Sequence, residues 1–469
     1  MWQTAAVELA LAGLIILLLV AGLILQDSRA HAIWKLAFGG VFLLLPLLAW
    51  QIPWIGQTID PMFVFDRFAC FFKGLFLMTV LIIILMTRTF AAQLRANVGE
   101  LYLLICTALL GMLVLASVND LLLLFIGIEL LTFSLYVMAA YLKTDARSVE
   151  AGLKYLILGS ISSGFLVYGI SLLYGVTGGT SFHAVRVAFS GPGVPVVANA
   201  GMLLILAGLG FKVAAVPFQL WAPDVYEGAP APVAALLATG SKMAGVVVLI
   251  RLLYTVFWPA QALWASLLSV LSAATLLYGN LAAIPQTNIK RLLGYSSIGH
   301  AGYLLMGLST ASHAGIEAVG FYLVAYLVSN LTVFFVVVVA STLLGSDSLD
   351  AYNGLSKRSP ILAAAMFVGL LSLAGVPPLA GFMGKLLVLL ATVQAGKLWL
   401  VVIGAVNVAI SLYYYLMIVR RMYLLPPAGP QPLAVDRLTR VALLVLMGAV
   451  VLVGTIQEPV LRLVTAAIP

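Results

Sequence analysis

Six ionisable side chains sit where an aqueous protein would not place them. Glu129, Lys154, Lys212, Lys242, His300 and Lys385 each lie within, or at the start of, a long apolar run. Glu129 interrupts "LLLLFIGIELLTFSLYV", Lys242 interrupts "AALLATGSKMAGVVVL", and Lys385 follows a double proline in "GVPPLAGFMGKLLVLL". An ionised side chain at a bilayer centre costs at least about 2.5–3.5 kcal/mol, so such residues mark a relay or an ion path. Burial disfavours the charged form of an amine, and a neighbouring carboxylate restores it. A carboxylate–lysine contact that forms and breaks therefore switches the amine between holding and releasing a proton. The chemistry these residue types suggest is proton transfer. A fixed ion pair is the structural alternative for Glu129 and Lys212, and a hydrogen-bonded core histidine is the alternative for His300. Lys154, at the start of its run, reads equally as an interfacial anchor. Lys385 has no acidic residue on its own helix, which weakens a structural reading there. Glu8, Lys73, Arg251 and Glu317 lie near helix ends or loops, where snorkelling or capping is expected.

The elements that position these residues must be membrane spans. Of the 469 residues, 63% are hydrophobic and 9% charged, with a mean hydropathy of +1.16. A soluble domain carries roughly 25% charged residues, so the chain reads as an all-α polytopic membrane protein. Two cysteines, Cys70 and Cys106, exclude a disulfide framework, an iron–sulfur cluster and a thiolate metal site. The histidines show no metal-ligand spacing, and "GLGFKV" is too short a signal for a nucleotide loop. The formal charge of +8 does not indicate nucleic acid, because the basic residues are scattered singly between apolar runs. The apolar stretch at 9–25 precedes "RAHA", but no Lys or Arg comes before it, so it reads as a retained helix.

At about 20 apolar residues per span, the sequence predicts about fourteen: 5–25, 32–50, 68–87, 101–118, 121–142, 153–175, 196–216, 232–254, 263–283, 297–311, 316–344, 361–390, 398–424 and 439–456. Basic residues crowd one set of loops: Arg29, Lys35, Arg88, Arg95, Lys143, Arg147, Lys290, Arg291, Lys357, Arg358, Arg420, Arg421, Arg437 and Arg440. The other side receives Arg67, Arg186, Lys397 and Arg462. The positive-inside rule then puts the crowded side in the cytoplasm and both termini outside. Spans 7 and 12 are interrupted, the first by Pro217, Pro223, Pro230 and Pro232, the second by Gly375, Pro377, Pro378, Gly381 and Gly384. Proline removes a helix hydrogen bond, and lipid tolerates freed backbone groups only where they face protein or a wet cavity. Broken helices at matching places in two halves point to an inverted repeat around a transport site. Spans 4–8 and 9–13 would be the two five-helix units, each broken in its fourth helix. The expected organisation is an N-terminal three-helix segment (1–100), a first repeat (101–254), an inverted second repeat (263–424) and a C-terminal helix (425–469). Glu129 and His300 fall in the second helix of their units, Lys212 and Lys385 in the fourth.

The stretches "GIELLTFSLYVMAAY", "SVEAGLKYLILGSISSGFLVYGISLLYG", "FKVAAVPFQLWAPDVYEGAPAPVAALLATGSKMA", "RLLGYSSIGHAGYLLMGL" and "AGVPPLAGFMGKLLVLLAT" together resemble the antiporter-like membrane subunits of respiratory complex I. The resemblance covers nearly the whole chain and is nearest to the N-type members: lysine at 385, "APDVYEGAPAPV", and an end soon after the last span. It implies fourteen helices, two inverted repeats and a hydrophilic axis. It assigns proton transfer to Glu129, Lys154, Lys212, Lys242, His300 and Lys385, with Glu129 and Lys212 as the controlling pair. It implies no cofactor or metal in this chain, and NAD, FMN, iron–sulfur clusters and quinone in partner subunits. Subunit M-like and subunit K-like neighbours, a lipid bilayer and the bacterial inner membrane complete that expectation, with no nucleic acid. One departure is Gln219, where many relatives carry histidine; a neutral amide holds no excess proton. A cation/proton antiporter subunit, or a ferredoxin-driven relative of complex I, is the alternative reading.

Overall fold

In lipid every backbone N–H and C=O must be satisfied within its own segment, which leaves helices as the main element. The computed structural model describes residues 2–25, 30–59, 62–91, 94, 98–191, 193–429 and 431–468. Arg29 and Arg95, counted above for orientation, lie outside them. The helices are α1 (Ala6–Leu25), α2 (Ala30–Trp50), α3 (Arg67–Ala91), α4 (Val98–Ala116), α5 (Leu121–Ala139), α6 (Ala146–Thr177), α7 (Phe182–Ser190), α8 (Val196–Val213), α9 (Trp221–Gly228) and α10 (Ala231–Leu236). They continue with α11 (Lys242–Arg251), α12 (Gln261–Ala283), α13 (Ile289–Ser309), α14 (His313–Leu344) and α15 (Leu355–Arg358). The last are α16 (Pro360–Ala374), α17 (Ala380–Gln394), α18 (Leu398–Leu424), α19 (Arg437–Thr455) and α20 (Glu458–Ala467).

Among the described residues, 12 helical segments are long and apolar enough to cross a membrane. The predicted segment at 361–390 forms two shorter apolar helices, α16 and α17. The one at 297–311 begins earlier than expected, as α13, because Asn288 caps the backbone N–H groups of Lys290 and Arg291.

Local polar groups build elements that hydropathy does not announce. The short strands β1 (Gln57–Ile59) and β2 (Phe63–Phe65) pair antiparallel, with Thr58 opposite Val64. Within the loop predicted at 176–195, Ser181 caps the short helix α7, which buries Phe182, Val185 and Phe189.

The chain divides into two compact units. The first comprises Met1–Val213, Gly240–Trp264 and Ala466–Pro469; the second comprises Ala214–Thr239 and Ala265–Thr465. In the first unit, charges expected to snorkel are buried and paired. Lys73 lies 2.7 Å from Glu8, with its ammonium 4.9 and 4.8 Å from the ring centroids of Phe63 and Phe65. The Arg251 guanidinium donates to both Asp66 carboxylate oxygens, at 2.9 and 2.8 Å, and to the Ala116 carbonyl. The Lys73 side chain is fully buried and that of Arg251 is 7% exposed, so neither reaches out to the headgroup region as a snorkelling residue does.

Both interrupted segments break in the same local order. Ala214 (φ 59°) precedes the cis Val216–Pro217 peptide, and Gly375 (φ 88°) precedes the cis Pro377–Pro378 peptide. In the second unit α19 covers the later break. A Cβ at Gly454 would overlap the Pro378 carbonyl, so only glycine lets the two backbones approach this closely.

Candidate functional site

The first unit holds Glu129, Lys154, Lys212 and Lys242. Lys212 is the last residue but one of α8, two residues before Ala214, and is 4% exposed. Its ammonium donates to Thr132 Oγ1 of α5 at 3.3 Å, and Thr132 in turn donates to the Ile128 carbonyl. Glu129, one turn before Thr132, is half-buried and accepts a 2.5 Å hydrogen bond from Ser163 Oγ of α6. Lys212 and Glu129 are therefore held by separate hydroxyls, and among the described residues no ion pair within 4.0 Å joins them. Between the hydroxyls lies a cavity of about 10 Å³, lined by Thr132, Tyr136, Ser163 and Lys212 with the small residues Gly159 and Gly208.

Lys242 starts α11 directly after the π-helical turn Leu237–Ser241 and is 2% exposed. One turn further along α11, a Cβ at Gly245 would stand 3.2 Å from Lys212 Cγ, so this helix passes against the Lys212 side chain. Lys154 behaves differently. Its ammonium pairs with Glu150, one turn earlier on α6, at 2.7 Å, and its side chain is 42% exposed on this chain.

The second unit holds His300 and Lys385, both buried, at 5% and 3% exposure. Proline 378 has no N–H, so the Ala374 carbonyl at the end of α16 loses its helical partner. The Lys385 ammonium takes that place at 2.9 Å and also reaches Ser411 Oγ of α18 at 3.4 Å. It stands 5.1 Å from the ring centroid of Tyr303, one turn along α13 from His300. The His300 Nδ1 and the Tyr322 hydroxyl share a 2.6 Å hydrogen bond, and Nε2 and the Tyr415 hydroxyl one of 3.1 Å. Tyr415 is itself bonded to Ser296. A neutral imidazole has one donor and one acceptor nitrogen, so the two tyrosines take opposite roles, and a change of tautomer exchanges them. Gln219, beside the first break, is buried with an unpartnered side-chain oxygen. Among the described residues, no group of three His, Cys, Asp or Glu side chains is placed to hold a metal ion.

Sequence reasoning thus located the amines and the acid but not the hydroxyls that hold them. A signal was available for two of these: Thr132 and Tyr136 follow Glu129 by three and seven residues, the spacing of one helix face. For Ser163, Tyr322, Tyr415 and Ser411, on other helices, none was.

The family described as NADH:quinone oxidoreductase/Mrp antiporter, TM, matches residues 118–411, from the start of α5 into α18. The chain belongs to this family. NADH-quinone oxidoreductase subunit N of Desulforamulus reducens is 39% identical over 462 residues, covering 98% of this chain and 96% of that one. A chain of respiratory complex I from Thermus thermophilus, solved with bound aureothin, superposes with a TM-score of 0.83 at 32% identity, covering 98% of this chain and 99% of its own. A chain of the Mrp complex from Dietzia sp. DQ12-45-1b shares the fold, with a TM-score of 0.87 at 20% identity over 100% of this chain and 97% of its own.

Proposed function

We propose that this chain is the proton-translocating, subunit N-type membrane component of complex I, the NADH:quinone oxidoreductase. The observation that carries the reading is the Glu129–Lys212 site: an acid and an amine on neighbouring membrane helices, each held by its own hydroxyl, with the amine lining a small cavity. Full-length similarity to a protein named as subunit N supplies the setting.

In this reading the chain carries no redox step. Iron–sulfur clusters need about four thiolates each, and two cysteines are present; NAD, FMN, the clusters and quinone belong to partner subunits. A signal from quinone reduction there shifts the Glu129–Lys212 equilibrium. Lys242 receives the proton, His300 and its tyrosines pass it on, and Lys385 releases it. Lys154, paired with Glu150 on an exposed helix face, is the peripheral member and exchanges with a group outside this chain. Helices α4–α11 and α12–α18 carry the two inverted repeats, and the shared order of events at the two breaks supports that pairing. Neighbours are other membrane subunits, M-like on one flank and K-like on the other. The chain resides in the bacterial inner membrane, with both termini outside as the loop charges favour.

The test replaces Lys212 or Lys385 with alanine in the assembled complex and measures protons moved per electron. A wild-type ratio in both variants removes the conduit. Co-purification with flavin and iron–sulfur subunits separates this reading from that of a cation/proton antiporter component, which would lack them.

A further inference from the structure

We propose that Asn280, Asn407 and Tyr414 are positioning residues for the His300 relay, an amide anchor that sets α18 so that Tyr415 meets the imidazole. The inference rests on the proton-conduit reading above and adds to its second unit three residues that hold no excess proton themselves.

The anchor joins α12 to α18 in an apolar interior, with Asn280, Asn407 and Tyr414 at 2%, 0% and 1% exposure. Its bonds run in one sense. Asn407 of α18 donates from Nδ2 to the Ile403 carbonyl, one turn back, at 2.8 Å. Asn280 of α12 donates from Nδ2 to Asn407 Oδ1 at 3.0 Å and to the Leu276 carbonyl at 2.9 Å. Turning either amide over would set its oxygen against a carbonyl oxygen, so backbone acceptors fix both orientations. The Asn280 oxygen then accepts the Tyr414 hydroxyl at 3.0 Å. Two amides and a phenol are thereby bonded to one another where an unmade bond is costly.

What the anchor holds is the relay. Tyr415 follows Tyr414 on α18, with ring centroids 4.5 Å apart, and shares hydrogen bonds with His300 Nε2 and Ser296. A Cβ at Gly279 would stand 2.4 Å from the Gly299 amide nitrogen, and one at Gly299 would meet Asn280 at 2.9 Å. The anchor thus ties α18 to the helix that packs directly on the residue before His300. Asn407, Ser411 and Tyr414 follow one another at spacings of four and three, on one face of α18. Ser411 is the hydroxyl that Lys385 reaches. A slide of α18 would therefore shift the partners of His300 and Lys385 together. Tyr414 spends its one hydrogen on an amide oxygen, which only accepts. The network orients the relay without extending it toward α12.

The experiment uses the complete complex, purified and reconstituted into vesicles. Asn407→Leu, Tyr414→Phe, Tyr415→Phe, His300→Gln and the double variant of Asn407→Leu with Tyr415→Phe are compared. NADH-driven quinone reduction and proton uptake are measured across pH, and the Asn407→Leu and Tyr414→Phe complexes are imaged by electron cryo-microscopy. Asn407→Leu keeps the branched shape and removes the polar atoms. Both anchor variants should turn over about fivefold more slowly, the size of one net hydrogen bond. Their Tyr415 hydroxyl should lie beyond hydrogen-bond distance of His300 Nε2, and their pH profiles should shift as that of Tyr415→Phe does. The double variant should be no slower than Tyr415→Phe, because changes acting through one contact do not add. The anchor is overturned if the two losses multiply, or if Tyr415 keeps its bond to His300 in the anchor variants. Should Asn407→Leu fail to assemble, Tyr414→Phe, which deletes a single oxygen, decides by its structure and pH profile. If His300→Gln and Tyr415→Phe pump as the wild type does, the relay reading has failed, and the Tyr415–His300 distance still decides the anchor.

Discussion

The two units lodge a buried lysine in different ways. In the first, Lys212 is the last residue but one of α8, and the neighbouring acid, Glu129, comes from α5 with its own hydroxyl partner. In the second, Lys385 lies in the helix after its break and reaches back to the last carbonyl of α16. That carbonyl carries the negative end of a helix dipole, a favourable place for a cation. A carboxylate can approach or withdraw; a helix terminus cannot. The first arrangement is therefore adjustable and the second fixed, which fits control of proton transfer in the first unit and release in the second.

The comparison can be broken, and the largest effects come from deleting either amine. Lys212→Ala and Lys385→Ala should each slow coupled quinone reduction about a hundredfold, the scale of a lost acid–base group, measured as turnover in vesicles. Converting the fixed site into an adjustable one is the sharper test. Ser411→Asp places a carboxylate beside Lys385, whose ammonium lies 3.4 Å from Ser411 Oγ. An ion pair formed there should retain the proton and lower turnover about tenfold, with assembly unchanged; wild-type proton uptake would argue that the second site tolerates an acid as the first does.

Smaller effects probe the surroundings. Tyr322→Phe removes the partner of His300 Nδ1 and should reduce turnover about fivefold, while the Glu129 infrared signal of the first unit stays unaltered. Gly375→Ala puts a side chain at φ 88° beside the Lys385 stem; the left-handed conformation costs about 1–2 kcal/mol, read as a lower melting temperature of the complex. Lys154→Ala should change turnover less than about twofold, because its partner Glu150 forms an exposed ion pair of small worth. A loss as large as that for Lys212 would place Lys154 in the main path.

The breaks and buried amines were legible because proline and lysine are conspicuous in apolar runs. Lys212, Lys242 and Lys385 are buried as the hydropathy pattern implied, and α16 and α17 divide where Pro377 and Pro378 required. Of the snorkelling or capping expected for Lys73 and Arg251, only capping is seen, in the bonds from Arg251 to the last carbonyl of α4; distance from a helix end says nothing about what packs over it. Their acids, Glu8 and Asp66, lie 65 and 185 residues away in sequence. The strand pair β1–β2 was missed because each strand has three residues, too few for a periodicity. Hydroxyls such as Ser163 were invisible for a third reason: serine is common in membrane helices, and only tertiary packing selects the one that meets Glu129.

The close approach of α19 at Gly454 has a consequence for how the protein tolerates truncation. The peptide groups exposed by Pro377 and Pro378 meet α19 backbone rather than acyl chains. That helix is electrical insulation for the second lysine site. Ending the chain before Arg437 would let lipid reach the Pro378 carbonyl, and a carbonyl unsatisfied in hydrocarbon carries a penalty of several kcal/mol. A shortened chain should therefore lose its second unit's fold at the Lys385 end first, well before the Glu129 end senses any change.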